Sequence, residues 1–183
     1  KNNFHAEATR LLEVAIKEYP NDKFFPVQLA KEYLLARNPK AVIDLLLPLH
    51  SAGRGDALTA KTLAIAYNRT DKPDMAISIL KPIYDRGQRD ALTSTTLGAA
   101  YMNNGQVDEV LDLLEPIYKS GQGNTMTSRL VAAAYLYTGN AEAALTVLNK
   151  LHDSGLGNKN TLGMLANALI ETGTRTEFDK LKK

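Results

Sequence analysis

The apolar residues of this chain recur with the period of a helix. Leu63, Ala64 and Tyr67 fall three and four residues apart on one helical face, as do Leu97, Ala100 and Tyr101. A second kind of segment carries Ile77, Ile79, Leu80 and Ile83, then Leu111, Leu113, Leu114 and Ile117, at the same spacing. Nothing alternates apolar and polar with period two, so no strand is predicted. Between the segments lie Asn38-Pro39, Asp71-Lys72-Pro73, Asn104-Gly105, Gly139-Asn140 and Gly173, and further breaks fall near Gly53, Gly87, Gly121 and Gly155. Glycine suits the left-handed end of a helix and proline the first turn of the next.

The same pattern returns at long range. Rows beginning at Asp22, Asp56, Asp90, Asn124 and Asn158 start 34 residues apart, with no insertion or deletion. DALTAKTLAIAY from Asp56 lies over DALTSTTLGAAY from Asp90 and NTMTSRLVAAAY from Asn124. The second halves align as well: MAISILKPIYDRGQ from Met75, EVLDLLEPIYKSGQ from Glu109 and AALTVLNKLHDSGL from Ala143. Each row therefore predicts a pair of helices, the first opened by an Asp or Asn cap. Pro48, Pro82 and Pro116 fall at one place inside the second helix, where a proline removes a backbone donor and predicts a local bend. One such pair cannot bury its apolar face alone, so successive pairs must stack.

These rows resemble the tetratricopeptide repeat, whose outline is L-G-x-x-Y, then A-x-x-x-F, over 34 residues. Leu63-Ala64-x-x-Tyr67 with Ala76 and Leu80 carries the likeness, as do Leu97-Gly98-x-x-Tyr101 with Val110 and Leu114, and Val131-Ala132-x-x-Tyr135 with Ala144 and Leu148. Leu29-Ala30-x-x-Tyr33 opens the first full row, and Ala8, Leu12, Ala15 and Pro20 match the second helix of an earlier, truncated repeat. The sequence departs from the family in three respects. The leading aromatic is replaced by Pro26, Ala60, Ser94, Ser128 and Leu162; the late small residue by Leu49, Ile83, Ile117 and Leu151; and the closing proline survives only as Pro20. The resemblance implies an all-α, right-handed superhelical stack of antiparallel helix pairs forming one repeat domain over 1–183. Its parts are a truncated start at 1–21, full repeats at 22–55, 56–89, 90–123 and 124–157, and a terminal partial repeat or cap at 158–183. A related family, the pentatricopeptide repeat, binds single-stranded RNA one base per repeat. The Gly-containing ends Arg86-Gly87, Ser120-Gly121 and Ser154-Gly155 resemble it, while the strict 34-residue period and a net charge of only +2 favour the protein-binding relative.

Composition narrows the function classes. With 22 Lys and Arg against 20 Asp and Glu and no block of like charge, an electrostatically driven nucleic-acid or membrane binder is not expected. There is no cysteine, hence no disulfide, thiolate metal site or cysteine nucleophile. No apolar run approaches the roughly 18 residues of a membrane span. The chain starts at Lys1 without Met, which reads as a fragment of a larger protein; a cytoplasmic location is expected, with the periplasm left open. His50 and His152 share a column with Tyr84 and Tyr118 and are too far apart in sequence to converge on a metal, and His5 stands apart from both. No phosphate loop, H-E-x-x-H or G-x-S-x-G occurs, and Asn68-Arg69-Thr70 is a glycosylation sequon only in form. Neither catalysis nor a cofactor is expected.

In tetratricopeptide repeats the first helix of each pair lines the concave wall, and the resemblance places four columns of this sequence there. They are Val27, Lys61, Thr95, Arg129 and Gly163; Lys31, Ile65, Ala99, Ala133 and Asn167; Leu34, Asn68, Met102, Leu136 and Ile170; and Leu35, Arg69, Asn103, Tyr137 and Glu171. Unlike the Tyr67, Tyr101 and Tyr135 column, these do not repeat. Their apolar floor with basic edges suits an amphipathic peptide or helix with an acidic residue, bound by a scaffold or regulatory domain. The groove residues expected to bind are Lys31, Lys61, Ile65, Asn68, Arg69, Thr95, Met102, Asn103, Arg129, Leu136, Tyr137 and Asn167. A carboxylate clamp of the kind some family members carry is not implied: Lys61 matches it, but Ile65, Thr96, Met126 and Leu130 do not. Two other readings stand beside this one, single-stranded RNA binding by a pentatricopeptide-like stack and self-association of copies.

Overall fold

The computed structural model describes residues 2–173, and every regular element among them is an α-helix. They are α1 (Asn2–Glu18), α2 (Phe24–Leu35), α3 (Pro39–Ser51), α4 (Ala57–Arg69), α5 (Pro73–Asp85), α6 (Ala91–Asn103), α7 (Val107–Lys119), α8 (Thr125–Tyr137), α9 (Ala141–Asp153) and α10 (Lys159–Thr172). The expected cap from Thr174 to Lys183 lies outside the described residues. Two compact units are divided within α6, after Ala100. In the first unit α1 packs on α2, α2 on α3, α3 on α4 and α4 on α5. In the second, α7 packs on α8, α8 on α9 and α9 on α10. The first helix of one repeat also touches the first helix of the next, α2 on α4 in one unit and α8 on α10 in the other. Consecutive helices joined by such short turns run antiparallel.

The helix starts follow from the caps. Asp56 Oδ1 accepts from Thr59 N at 2.8 Å, Asn124 Oδ1 from Thr127 N at 2.9 Å and Asn158 Oδ1 from Thr161 N at 3.2 Å. Asp90 does the same for Thr93 at 3.1 Å. In α4 and α8 the threonine hydroxyl returns a bond from the cap's own N–H, a reciprocal box that satisfies two donors. The first row departs from the expected pattern. Phe25 stands in the threonine column, so no hydroxyl is available; Asp22 instead accepts from Phe24 N at 2.7 Å, and Lys23 takes the cap position without a side-chain bond. Second helices start on Pro39 and Pro73, whose missing N–H would be unpaired there anyway.

Burial follows the 34-residue column. Leu46 and Leu80 in the first unit, and Leu114 and Leu148 in the second, are fully buried, as are Val42, Ala76, Val110 and Ala144 one turn earlier. Leu63, Ala64 and Ala66 face them from α4, and Val131, Ala132 and Ala134 from α8. Pro48, Pro82 and Pro116 lie inside their helices, each three residues before the last. The ends of the first helices form a column of their own. Gly105, Gly139 and Gly173 take φ of 74°, 75° and 68°, while Arg37 and Asp71 hold the same left-handed turn at 55° and 56°. A side chain with a Cβ is disfavoured in that conformation, so Arg37 and Asp71 are the two strained members of an otherwise glycine position.

Candidate functional site

The side chains of the first helices meet different fates in the two units. In the first unit Lys61, 13% exposed, forms an ion pair with Asp90, the cap of the next first helix. Burial raises the carboxyl pKa of Asp90, but the Lys61 bond and the bonds to Thr93 outweigh it and hold the group down at about 2. Arg69 donates through Nη1 to the carbonyl of Leu34 at 2.9 Å, which also accepts from Arg37 N at 3.2 Å in the turn that ends α2. Asn68 donates from Nδ2 to the Thr96 carbonyl at 3.0 Å, while its Oδ1 is buried without a partner. Thr95 is buried, and its hydroxyl donates to the Ala91 carbonyl of its own helix at 2.6 Å. Ile65 is half-buried and Lys31 exposed, its Nζ 3.5 Å from Gln28 Oε1.

In the second unit Arg129 occupies the column of Lys61 but lacks its acid. The residue 29 positions on, which is Asp90 for Lys61, is the uncharged Asn158 for Arg129. The Arg129 side chain is half-buried; among the described residues it makes no ion pair, and its Nε is shut off from solvent with no hydrogen-bond partner. Further along the same helix come Ala133, half-buried Leu136 and Tyr137, the last 73% exposed. Eight residues of helix place Tyr137 about 12 Å from Arg129 along the axis. On α10 the matching column offers Gly163, where an added Cβ would meet nothing within 4 Å, then exposed Asn167 and Ile170, 76% exposed. Met102 is half-buried and Asn103 exposed at the end of α6.

The structure thus sets Arg129, half-buried Leu136 and exposed Tyr137 along one helix. Lys61, Thr95 and Arg69 lie in the expected columns but are engaged within the protein. Two clefts were not anticipated from the sequence. One, of about 430 Å³, lies at the ends of α2 and α4 and is lined by Leu34, Leu35, Arg37, Pro39 and Arg69. The other, of about 240 Å³, opens in the second unit beside Tyr118, Asn124, Ser128, Lys150 and Leu156, with the Lys150 ammonium 5.8 Å above the Tyr118 ring. Arg37, like Asp71, visibly interrupts the glycine column of 105, 139 and 173 in the sequence, but that interruption alone does not locate a cleft.

Among the described residues no group of three His, Asp or Glu side chains could hold a metal ion. His5 pairs with Glu32 at 2.7 Å, and His50 and His152 are half-buried. No helix of the described residues is long and apolar enough to cross a membrane.

No family model and no curated protein matches the chain. Among solved structures, the pentatricopeptide repeat protein PPR10 from maize is similar, with a TM-score of 0.50 and 24% identity over 87% of this chain. The chain spans only 24% of that protein's length. The likeness shows the fold, a helical-repeat stack. It falls on the family kept as the alternative reading, which the repeat period and net charge made the less favoured, and the tetratricopeptide assignment rests on the sequence pattern alone.

Proposed function

We propose that the chain is a non-catalytic binding module that takes a peptide or helix of a protein partner on the first-helix face of its second unit, as scaffold or regulatory part of a larger protein. One observation carries the reading. Arg129 holds a shielded, unpartnered Nε on a helix whose next turns carry half-buried Leu136 and exposed Tyr137. Arg129 stands where Lys61 meets Asp90 but faces the uncharged Asn158, and a ligand carboxylate would supply its guanidinium with the charge-assisted bond that Asp90 gives Lys61. Arg and Tyr are also the side chains that most often anchor interfaces. An amphipathic segment with an acidic residue complements that face.

A second reading, single-stranded RNA, is supported by the likeness to a pentatricopeptide repeat protein, a class that reads one base per repeat through two or three side chains. The comparison leans toward this reading and the chemistry of the faces toward the first, because Lys61 is already paired with Asp90 and the net charge is only +2.

The test is capture with the wild type and with Arg129→Met combined with Tyr137→Ser, identifying bound protein and RNA separately and then titrating the captured species. On the first reading a defined protein segment binds and weakens at least about tenfold in the double variant, with unchanged circular dichroism. Equal affinity of that segment for both proteins refutes it. RNA captured with a steep, linear loss of log affinity against log salt establishes the second.

A further inference from the structure

The cleft at the ends of α2 and α4 has a composition that the wall face does not explain. Arg37 and Arg69 both line it, with Leu34, Leu35 and Pro39, and none of its lining residues is acidic. The turn itself has no use for an arginine side chain. It closes through backbone bonds, Arg37 N to the Leu34 carbonyl at 3.2 Å and Asn38 N to the Tyr33 carbonyl at 2.8 Å, which any residue provides. Glycine fills the same position at 105, 139 and 173, yet here the chain holds an arginine at φ 55°. Among the described residues its guanidinium meets no acid and no hydrogen-bond partner.

Arg69 is the second cation, and it is pre-organised. One N–H is tied to the Leu34 carbonyl at 2.9 Å, which leaves most of its five donors free. The apolar wall is equally unspent, for Leu35 is 68% exposed. The cleft, of about 430 Å³, is open to solvent, so it offers a surface for a small group held on one side rather than an enclosed pocket.

We infer that this cleft binds a free carboxylate carried on a compact apolar group, the acid against Arg37 and Arg69 and the hydrocarbon against Leu34, Leu35 and Pro39. A bare phosphate would leave the leucines wet, and a neutral apolar molecule would strip water from two guanidiniums with nothing to replace it. The site uses no residue of the Arg129 face and stands whichever polymer that face takes.

Three probes separate the contributions: N-acetyl-L-leucine, its uncharged amide, and inorganic phosphate, each titrated into the whole chain by amide NMR at constant ionic strength. N-acetyl-L-leucine is expected to saturate with Kd on the order of 1 mM, moving the Leu35 and Arg37 resonances. The amide is expected to bind about tenfold more weakly, and phosphate not to displace the acid. Arg37→Gly removes the guanidinium and relieves the turn at once, so it should bind about tenfold more weakly while being no less stable; a folding defect cannot imitate that pair of results. Asp71→Gly relieves the matching turn of the next repeat and should leave affinity unchanged. Wild-type affinity in Arg37→Gly, equal binding of acid and amide, displacement by phosphate, or no saturable shift would each overturn the assignment.

Discussion

The same methyl group, added at two glycines of the second unit, should move stability in opposite directions. Gly139 closes α8 at φ 75°, and Gly163 lies in the helical interior of α10; an added Cβ at either meets nothing within 4 Å. Neither substitution creates a clash or fills a void, so backbone conformation alone decides. At Gly139 the left-handed turn makes a Cβ cost roughly 1–2 kcal/mol. The stiffer unfolded chain returns about 0.4–1 kcal/mol, so Gly139→Ala should destabilise by about 1 kcal/mol. At Gly163 there is no such penalty, and alanine exceeds glycine in helix interiors by roughly 0.5–1 kcal/mol. Gly163→Ala should therefore stabilise by that amount. Urea unfolding followed at 222 nm reads both. With an m-value near 2 kcal/mol/M, the midpoints should move by about −0.5 M and about +0.4 M with unchanged slope. Shifts of the same sign would refute the left-handed column as the device that ends each first helix.

Other consequences follow from single contacts. Leu114→Ala empties a fully buried position in the repeating core and should cost about 3 kcal/mol, read as a fall in the denaturation midpoint. Asp90→Asn keeps a competent cap but removes the charge facing Lys61; because the folded carboxyl titrates at about 2, well below its ordinary value, the ion pair's contribution is present above about pH 4 and is lost as pH falls through 2. The variant should be less stable by about 0.5 kcal/mol at pH 7 and converge with wild type in acid, and a constant difference across that range would contradict the assignment. Burial and the hydrogen bond to Glu115 at 2.6 Å push the Tyr135 phenol up to about 12, so this tyrosine should ionise late in an alkaline absorbance titration, and that transition should disappear in Tyr135→Phe. Its folded pKa is raised, so the stability it adds below about pH 10 is lost as pH climbs toward 12.

The boundaries of the helices, the caps at Asp56, Asn124 and Asn158, and the buried columns of Leu46, Leu80, Leu114 and Leu148 can all be read from the residues in order. Each depends on interactions within one helix or on a face that repeats every 34 positions. Local hydrogen bonding and periodic burial leave their mark on a single sequence. The first row shows the limit of that reading: its Asp22 matches the caps by position, yet Phe25 supplies no hydroxyl and the local bonding changes.

The state of the binding columns is another matter. Lys61 and Arg129 are equivalent by spacing, and only the packing of one repeat's first helix beside the next repeat's cap reveals that the first meets Asp90 while the second stands without an acid. Thr95 sits in a wall column and is nonetheless buried, and Arg69 spends a donor on a carbonyl from the preceding repeat. The Arg37 cleft exists because a left-handed turn at the end of α2 places that side chain in one cavity with the Arg69 guanidinium. By itself, then, the sequence determined the repeat, the helices and the core, since those arise from short-range bonding and a period. Which cations stay free and where clefts open was decided only by the tertiary structure, because pairing and burial are properties of neighbouring helices that no single helix encodes.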